Sequence, residues 1–286
     1  MHSIEASLKQ ASLFFPIPNP ARNLFFPIAV FVSAALLPLG WITAAFIVAG
    51  QAHFAMTYLY QYRGKRMNYR YFSLALFLFG AMLLYLTYAG EEVLPIFFVV
   101  AASLFSAHFA FDEIHLHGSN LSRMEGATAL GFVALFTSFM LYVAFPFSPF
   151  LELPFLIALI FGSWVLTRLV FSKASISRGE YYLWFVEIIL VTLFFWLGLT
   201  LQTLAVIILL HGFNWAVGYG ERVNWYPERK KKYWSETALT LGGSIILYVF
   251  FLTLNIEFLK YFFLLVYYDA WAIAHIVLSF NPSRSV

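Results

Sequence analysis

Ten apolar stretches, each about as long as a bilayer core is thick, dominate this sequence and constrain its fold more than any other feature. A membrane span needs about 20 apolar residues coiled as helix, and a backbone deprived of water has few other ways to satisfy its own polar groups. The stretches lie near residues 23–39, 41–62, 70–89, 93–116, 125–146, 153–171, 180–199, 201–219, 235–255 and 258–280, with the tightest joins at Gly40 and Thr200. Composition points the same way: 62% of the residues are hydrophobic and 11% charged, against roughly 45–50% and 25% in soluble domains. Mean hydropathy is +0.80. The expected fold is an all-α, polytopic membrane protein of about ten transmembrane helices, with a cytoplasmic N-terminal segment 1–22, one helical domain 23–280 and a C-terminal tail 281–286. The first twenty residues lack a basic region followed by an apolar core and a small-residue cleavage site, so no removable signal peptide is expected.

The basic residues supply an orientation. Lys9 and Arg22, then Arg63, Lys65, Arg66 and Arg70, then Arg123, then Arg168, Lys173 and Arg178, then Arg222 with "ERKKK" (Glu228 to Lys232), and finally Arg284 all fall on one side of the ten-helix arrangement. The opposite connections carry Glu91, Glu92, Glu152 and Glu257, with Lys260 as their cation. Positive residues stay inside, so both termini are expected in the cytoplasm. A net charge of +3 spread over connecting segments makes nucleic acid an unexpected partner.

Cysteine is absent. That excludes disulfides, thiolate metal sites, iron–sulfur clusters and cysteine nucleophiles, leaving His, Asp and Glu as the strong ligands. Four apolar stretches with the same expected direction carry one buried histidine each: His53, His108, His211 and His275. Counting back from the cytoplasmic helix ends at about 1.5 Å per residue puts His53 and His211 roughly 13 Å deep, His108 roughly 10 Å and His275 roughly 8 Å. Glu187, on an oppositely running stretch, reaches roughly the same 10 Å. The sixth stretch shows Ser163 and Trp164 where a histidine would continue the pattern, so five repeated hairpins are suggested and not demonstrated.

Ionisable groups inside a membrane helix cost several kcal/mol unless paired, and they face the bundle interior. Four histidines at one depth therefore imply one shared site. Neutral imidazole is the commonest metal ligand, and a His-rich, Cys-free set suits non-haem iron first, with zinc or manganese as further choices. Glu187, Asp112 and Asp269 are candidate carboxylate ligands, or groups that orient the imidazoles. Asp112 follows His108 by one helical turn and His115 by position lies on the same stripe. Tyr268 shares a face with His275 and could donate a hydrogen bond there. Each histidine alone could equally serve a helix–helix hydrogen bond, whereas His2, His115 and His117 are terminal or near-interface and expected to be solvated.

Other features discriminate less. "RKKK" (Arg229 to Lys232) beside Trp225, Tyr226, Tyr233 and Trp234 reads as a topology signal with an interfacial aromatic belt, a surface that also suits anionic membrane lipid. The 34 phenylalanines serve lipid contact, helix packing or the walls of a polyene or acyl-chain site alike. "LTLGGS" (Leu239 to Ser244) permits close helix approach. There is no "HExxH", no "GxSxG", no nucleotide-binding loop, and none of the clustered histidine boxes of membrane fatty-acid desaturases.

One histidine per helix is a different construction. With His108 followed four residues later by Asp112, and a His211–Gly212 pair, it resembles the membrane-integral carotene-cleaving dioxygenases of the Brp/Blh type over two short segments. The resemblance implies iron held by histidines on separate helices and oxygen chemistry on a lipophilic small molecule. The expected function is thus an intramembrane, histidine-ligated metalloenzyme, an oxygenase or desaturase acting on a carotenoid, isoprenoid or lipid chain. Asp112, Glu187 and Tyr268 are its catalytic candidates. Two alternatives from other classes stand beside it: a proton-coupled transporter or channel using the buried His, Asp and Glu, and a haem electron carrier with His53/His108 and His211/His275 as opposed axial pairs.

Overall fold

Apolar runs broken at a few turn residues coil locally, and in a computed structural model of the chain every described regular element is a helix. The described residues are 20–63, 69–88, 99–101, 103–110, 123–144, 152–171, 175–224 and 227–279. In chain order the helices are α1 (Pro20–Leu36), α2 (Leu39–Arg63), α3 (Tyr69–Tyr88), α4 (Val99–Ala110), α5 (Arg123–Ala144), α6 (Leu153–Phe171), α7 (Ser175–Trp196), α8 (Thr200–Asn224), α9 (Pro227–Leu254), α10 (Lys260–Phe263, preceded by a single 3-10 turn over Glu257–Leu259) and α11 (Leu265–Ser279).

Turn chemistry sets the breaks. The first tight join falls at Pro38, not at Gly40, which lies inside α2: proline has no N–H to continue a helix and pushes Leu37 out of helical geometry. The second falls at Gly198, whose φ of 76° is left-handed. Gly198 N–H donates to the Phe195 carbonyl and Leu199 N–H to the Phe194 carbonyl, each at 3.0 Å, the pairing that closes a helix on a left-handed glycine. Asn255, at φ 49°, ends α9 in the same conformation.

Of the roughly ten crossings expected, length and apolarity directly support fewer. Among the described residues four helices are long and apolar enough to cross a membrane (Leu39–Arg63, Tyr69–Tyr88, Leu153–Phe171 and Arg229–Leu254), or five if α10 and α11 form one bent span. Shorter apolar helical segments among the described residues are Pro27–Leu36, Val99–Ala110, Ala127–Tyr142 and Trp184–Trp196.

The last span is not the continuous helix expected over 258–280. It bends by 60° at Leu264, with neither glycine nor proline there. Side chains satisfy the carbonyls that the break frees: Gln51 Nε2 donates to Phe262 O at 2.8 Å and Trp271 Nε1 to Tyr261 O at 2.9 Å. Irregular backbone at membrane depth is tolerated where protein supplies such partners.

Packing gathers the bundle around α2, which lies against α8, α9 and α11; α11 also packs on α3, and α5, α6 and α7 form a second group joined to α8 through α1 and α7. Phe109, Phe132, Phe136, Phe161 and Trp184 interlock at the centre. A Cβ added at Gly131 would strike the Phe161 ring, so α5 and α6 meet at van der Waals contact there. An exposed apolar surface appears on α9, where Leu239, Ile246, Leu252 and Leu254 are all more than half exposed.

Candidate metal centre

The four buried histidines come from α2, α4, α8 and α11, and the fold brings them to one point. One ring nitrogen from each of His53, His108, His211 and His275 lies within 4.8 Å of the other three. Around the group the ring centroids are 5.2 Å apart for His53 and His211, 5.0 Å for His211 and His108, 5.0 Å for His108 and His275, and 4.8 Å for His275 and His53. His108 Nε2 and His275 Nε2 are 3.1 Å apart, with one donating to the other. His108, His211 and His275 are buried and His53 is half-buried.

These distances fit one ion. Imidazole nitrogens bound at about 2.0–2.1 Å around a tetrahedral ion stand about 3.4 Å from one another, close to the 3.1 Å contact and inside the 4.8 Å bound. Two ions about 3.5–4 Å apart would need more donors than this group offers. Opposed haem pairs fit badly, because all four nitrogens crowd one point and aromatic rings fill the surrounding space. Trp215 lies 5.2 Å from the His53 ring, Phe54 4.9 Å from His275, and Phe105 and Phe109 each 5.7 Å from His211.

A narrow cleft lies beside the histidines, lined by His53, His211 and His275 together with apolar Phe54, Phe105, Ile208, Ala272 and Ile276. Tyr268 and Gly50 also line it. A Cβ on Gly50 would overlap the Tyr268 phenol, so that phenol rests directly on the α2 backbone one turn from His53. Tyr268 packs edge-on against Phe46 at 5.4 Å and beside Phe54 at 5.5 Å.

The carboxylate candidates fare differently. Glu187 is 2% exposed on α7 but is not one of the four residues whose ligand atoms converge, and neither is the half-buried Asp269. Asp112, His115 and His117 lie outside the described residues. Sequence reasoning passed over Gly50, Gln51 and Trp215, although a signal was present. Gly50 precedes His53 by one turn and Trp215 follows His211 by one turn, so each shares its histidine's face.

Comparisons with protein families, curated proteins and solved structures return no match to this chain. The class of protein is therefore argued from the site: an all-helical bundle, with helices fit to cross a membrane, whose four-histidine group could hold a metal ion.

Proposed function

We propose that the protein is an intramembrane, histidine-ligated metalloenzyme, a non-haem iron oxygenase or desaturase acting on a carotenoid, isoprenoid or lipid chain. The observation that carries the reading is the meeting of four imidazole nitrogens within 4.8 Å, delivered by four separate helices. Structural hydrogen bonding requires no such four-way convergence. Iron, when bound, supplies oxygen activation, and softer or redox-inactive ions such as zinc would suit the same nitrogens without it. The likeness of His108 with Asp112 to the carotene-cleaving dioxygenases supports the choice of iron and of an apolar substrate.

The chain's own residues have definite tasks in this scheme. His53, His108, His211 and His275 would hold the ion through neutral ring nitrogens, in place of the His108–His275 hydrogen bond. Phe54, Phe105, Ile208, Ala272 and Ile276 make the cleft wall apolar, the surface that a hydrocarbon chain would meet on reaching the centre. Tyr268 places the polar end of its phenol at that wall, where it can orient a reacting group.

Elemental analysis tests the proposal. Purified protein supplied with iron, manganese and zinc should carry one ion per chain, and each of His53→Ala, His108→Ala, His211→Ala and His275→Ala should lose most of it while His2→Ala and His117→Ala keep it. Well-folded wild-type protein with far less than one ion per chain ends this reading.

One observation favours a second reading, a proton-coupled transporter. The 60° break between α10 and α11 is the kind of discontinuous span that transporters place at a binding site, and Asp269 follows it within two turns. Proton flux in liposomes that persists after metal removal would select that reading.

A further inference from the structure

Seven threonines in the described helices donate their hydroxyls to the carbonyl four residues back, at 2.6–2.9 Å. This is how a hydroxyl buried on a helix is usually satisfied. Thr57, only 2% exposed, departs from the rule: its Oγ1 is buried without a hydrogen-bond partner in the protein. One turn further along α2, Gln61 is 6% exposed; its Nε2 reaches the Leu278 carbonyl of α11 at 3.5 Å, the outer limit of a hydrogen bond, and its Oε1 has no protein partner.

Leaving a buried polar atom unsatisfied costs about 1–3 kcal/mol, and buried orphans in proteins usually mark ordered water. Thr57 and Gln61 lie one turn apart on the face of α2 that carries His53 one turn before Thr57, the three positions covering about 12 Å of helix axis. The stripe starts at the histidine centre. Its far end is polar and open: Arg63, two residues beyond Gln61, has a 42% exposed side chain and pairs with Glu236 of α9. The same carboxylate accepts a hydrogen bond from Tyr60 at 2.8 Å.

We propose that Thr57 and Gln61 hold a file of ordered water between α2 and α11, leading from the Arg63–Glu236 end of the bundle to the histidine centre and carrying water and protons to it. The Thr57 hydroxyl both donates and accepts, while Gln61 Oε1 and the Leu278 carbonyl accept, which gives bridging waters the two to four partners each requires. The apolar cleft wall offers no such path. The inference deepens the metalloenzyme reading by naming how its enclosed centre exchanges protons with solvent, but the water file itself stands whether or not an ion binds.

The experiment uses the full chain freed of metal. Brief X-ray radiolysis in water enriched in heavy oxygen labels side chains beside bound water; Tyr58 and Leu278 are the reporters, and Phe132 and Leu135, both 0% exposed, are the dry controls. Labelling of the reporters well above the controls is expected in the wild type, falling to the control level in Thr57→Val/Gln61→Leu. In the same samples, deuterium exchange at the imidazole C2 position of His53, read by mass spectrometry, should slow several-fold. Thr57→Ser, which keeps the hydroxyl, should retain both signals, and set against Thr57→Val it decides the matter if the double variant does not fold. Unlabelled reporters in the wild type, or labels unchanged in the folded variants, overturn the water file; lost labels with unchanged His53 exchange overturn its connection to the centre. Because no metal is used, a wild type that binds no ion overturns the enzyme reading and leaves these readouts intact.

Discussion

Single residues decide whether the cleft beside the histidines keeps its shape, and Gly50 is the sharpest case. Its missing Cβ is the space the Tyr268 phenol occupies, so even the smallest side chain there must displace Tyr268 or pry α2 from α11. Overpacking of this kind costs about 1–3 kcal/mol. Gly50→Ala should therefore lower the thermal midpoint of the detergent-solubilised protein. The overlap is worst at the phenol oxygen, so adding Tyr268→Phe should recover part of the loss; additive destabilisation by the two changes would show that the contact is not made. Glu187 poses the complementary question. It is buried yet lies apart from the converging nitrogens, and a carboxylate that only supports ligands changes metal affinity by about 10–100-fold. Its Gln variant tells whether the carboxylate reaches the ion through intervening groups.

Helix ends and breaks show what one sequence reveals about elements. Where they are described, the stretches found by hydropathy are helical, the last of them broken at Leu264, because a long apolar run without water must coil, and Pro38 and Gly198 each mark a boundary within two residues of the expected join. The bend at Leu264 was not legible, since its cause is remote: Gln51, more than two hundred positions earlier in the chain, donates to the Phe262 carbonyl. Convergence of the histidines was legible only as a shared depth. Depth says that four imidazoles lie at one level, and helix packing alone says which faces turn inward, which is why Glu187, at the same depth, reads as a further ligand or steering group and the deeper Asp269 as a lesser candidate. Gln51→Leu keeps the size and removes the donor, leaving a carbonyl at the break unsatisfied at a cost of about 1–3 kcal/mol. The expected outcome is a less stable protein whose backbone amides in the Tyr261–Tyr268 segment exchange hydrogen faster, while α7 exchanges as before. Unchanged exchange there would mean that packing, and not the Gln51 amide, holds the bend.

For the whole molecule the open question is how many times the chain crosses the bilayer and with which end inside. Among the described residues length and apolarity support four helices, or five with the bent pair, whereas the apolar stretches of the sequence number ten and the one-sided basic residues lead to the expectation of both termini in the cytoplasm. A helix that carries polar groups can lie at membrane depth when neighbours cover it, and in α8 Val206, Ile207, Leu210 and His211 are all buried against the rest of the bundle. We propose that the other helices cross as well and that the basic segments mark the cytoplasmic side. The absence of native cysteine makes the test direct. Single-cysteine variants at Arg66, Arg178 and Lys231 should resist an impermeant maleimide in intact cells and react after permeabilisation, and a cysteine at Glu92 should react without it. Reaction at Lys231→Cys from outside would reverse the orientation, because Lys231 stands near the start of α9, one of the four helices able to cross unaided. Agreement at Lys231 with outside reaction at Arg178 would preserve the orientation of α9 and reduce the number of crossings between them.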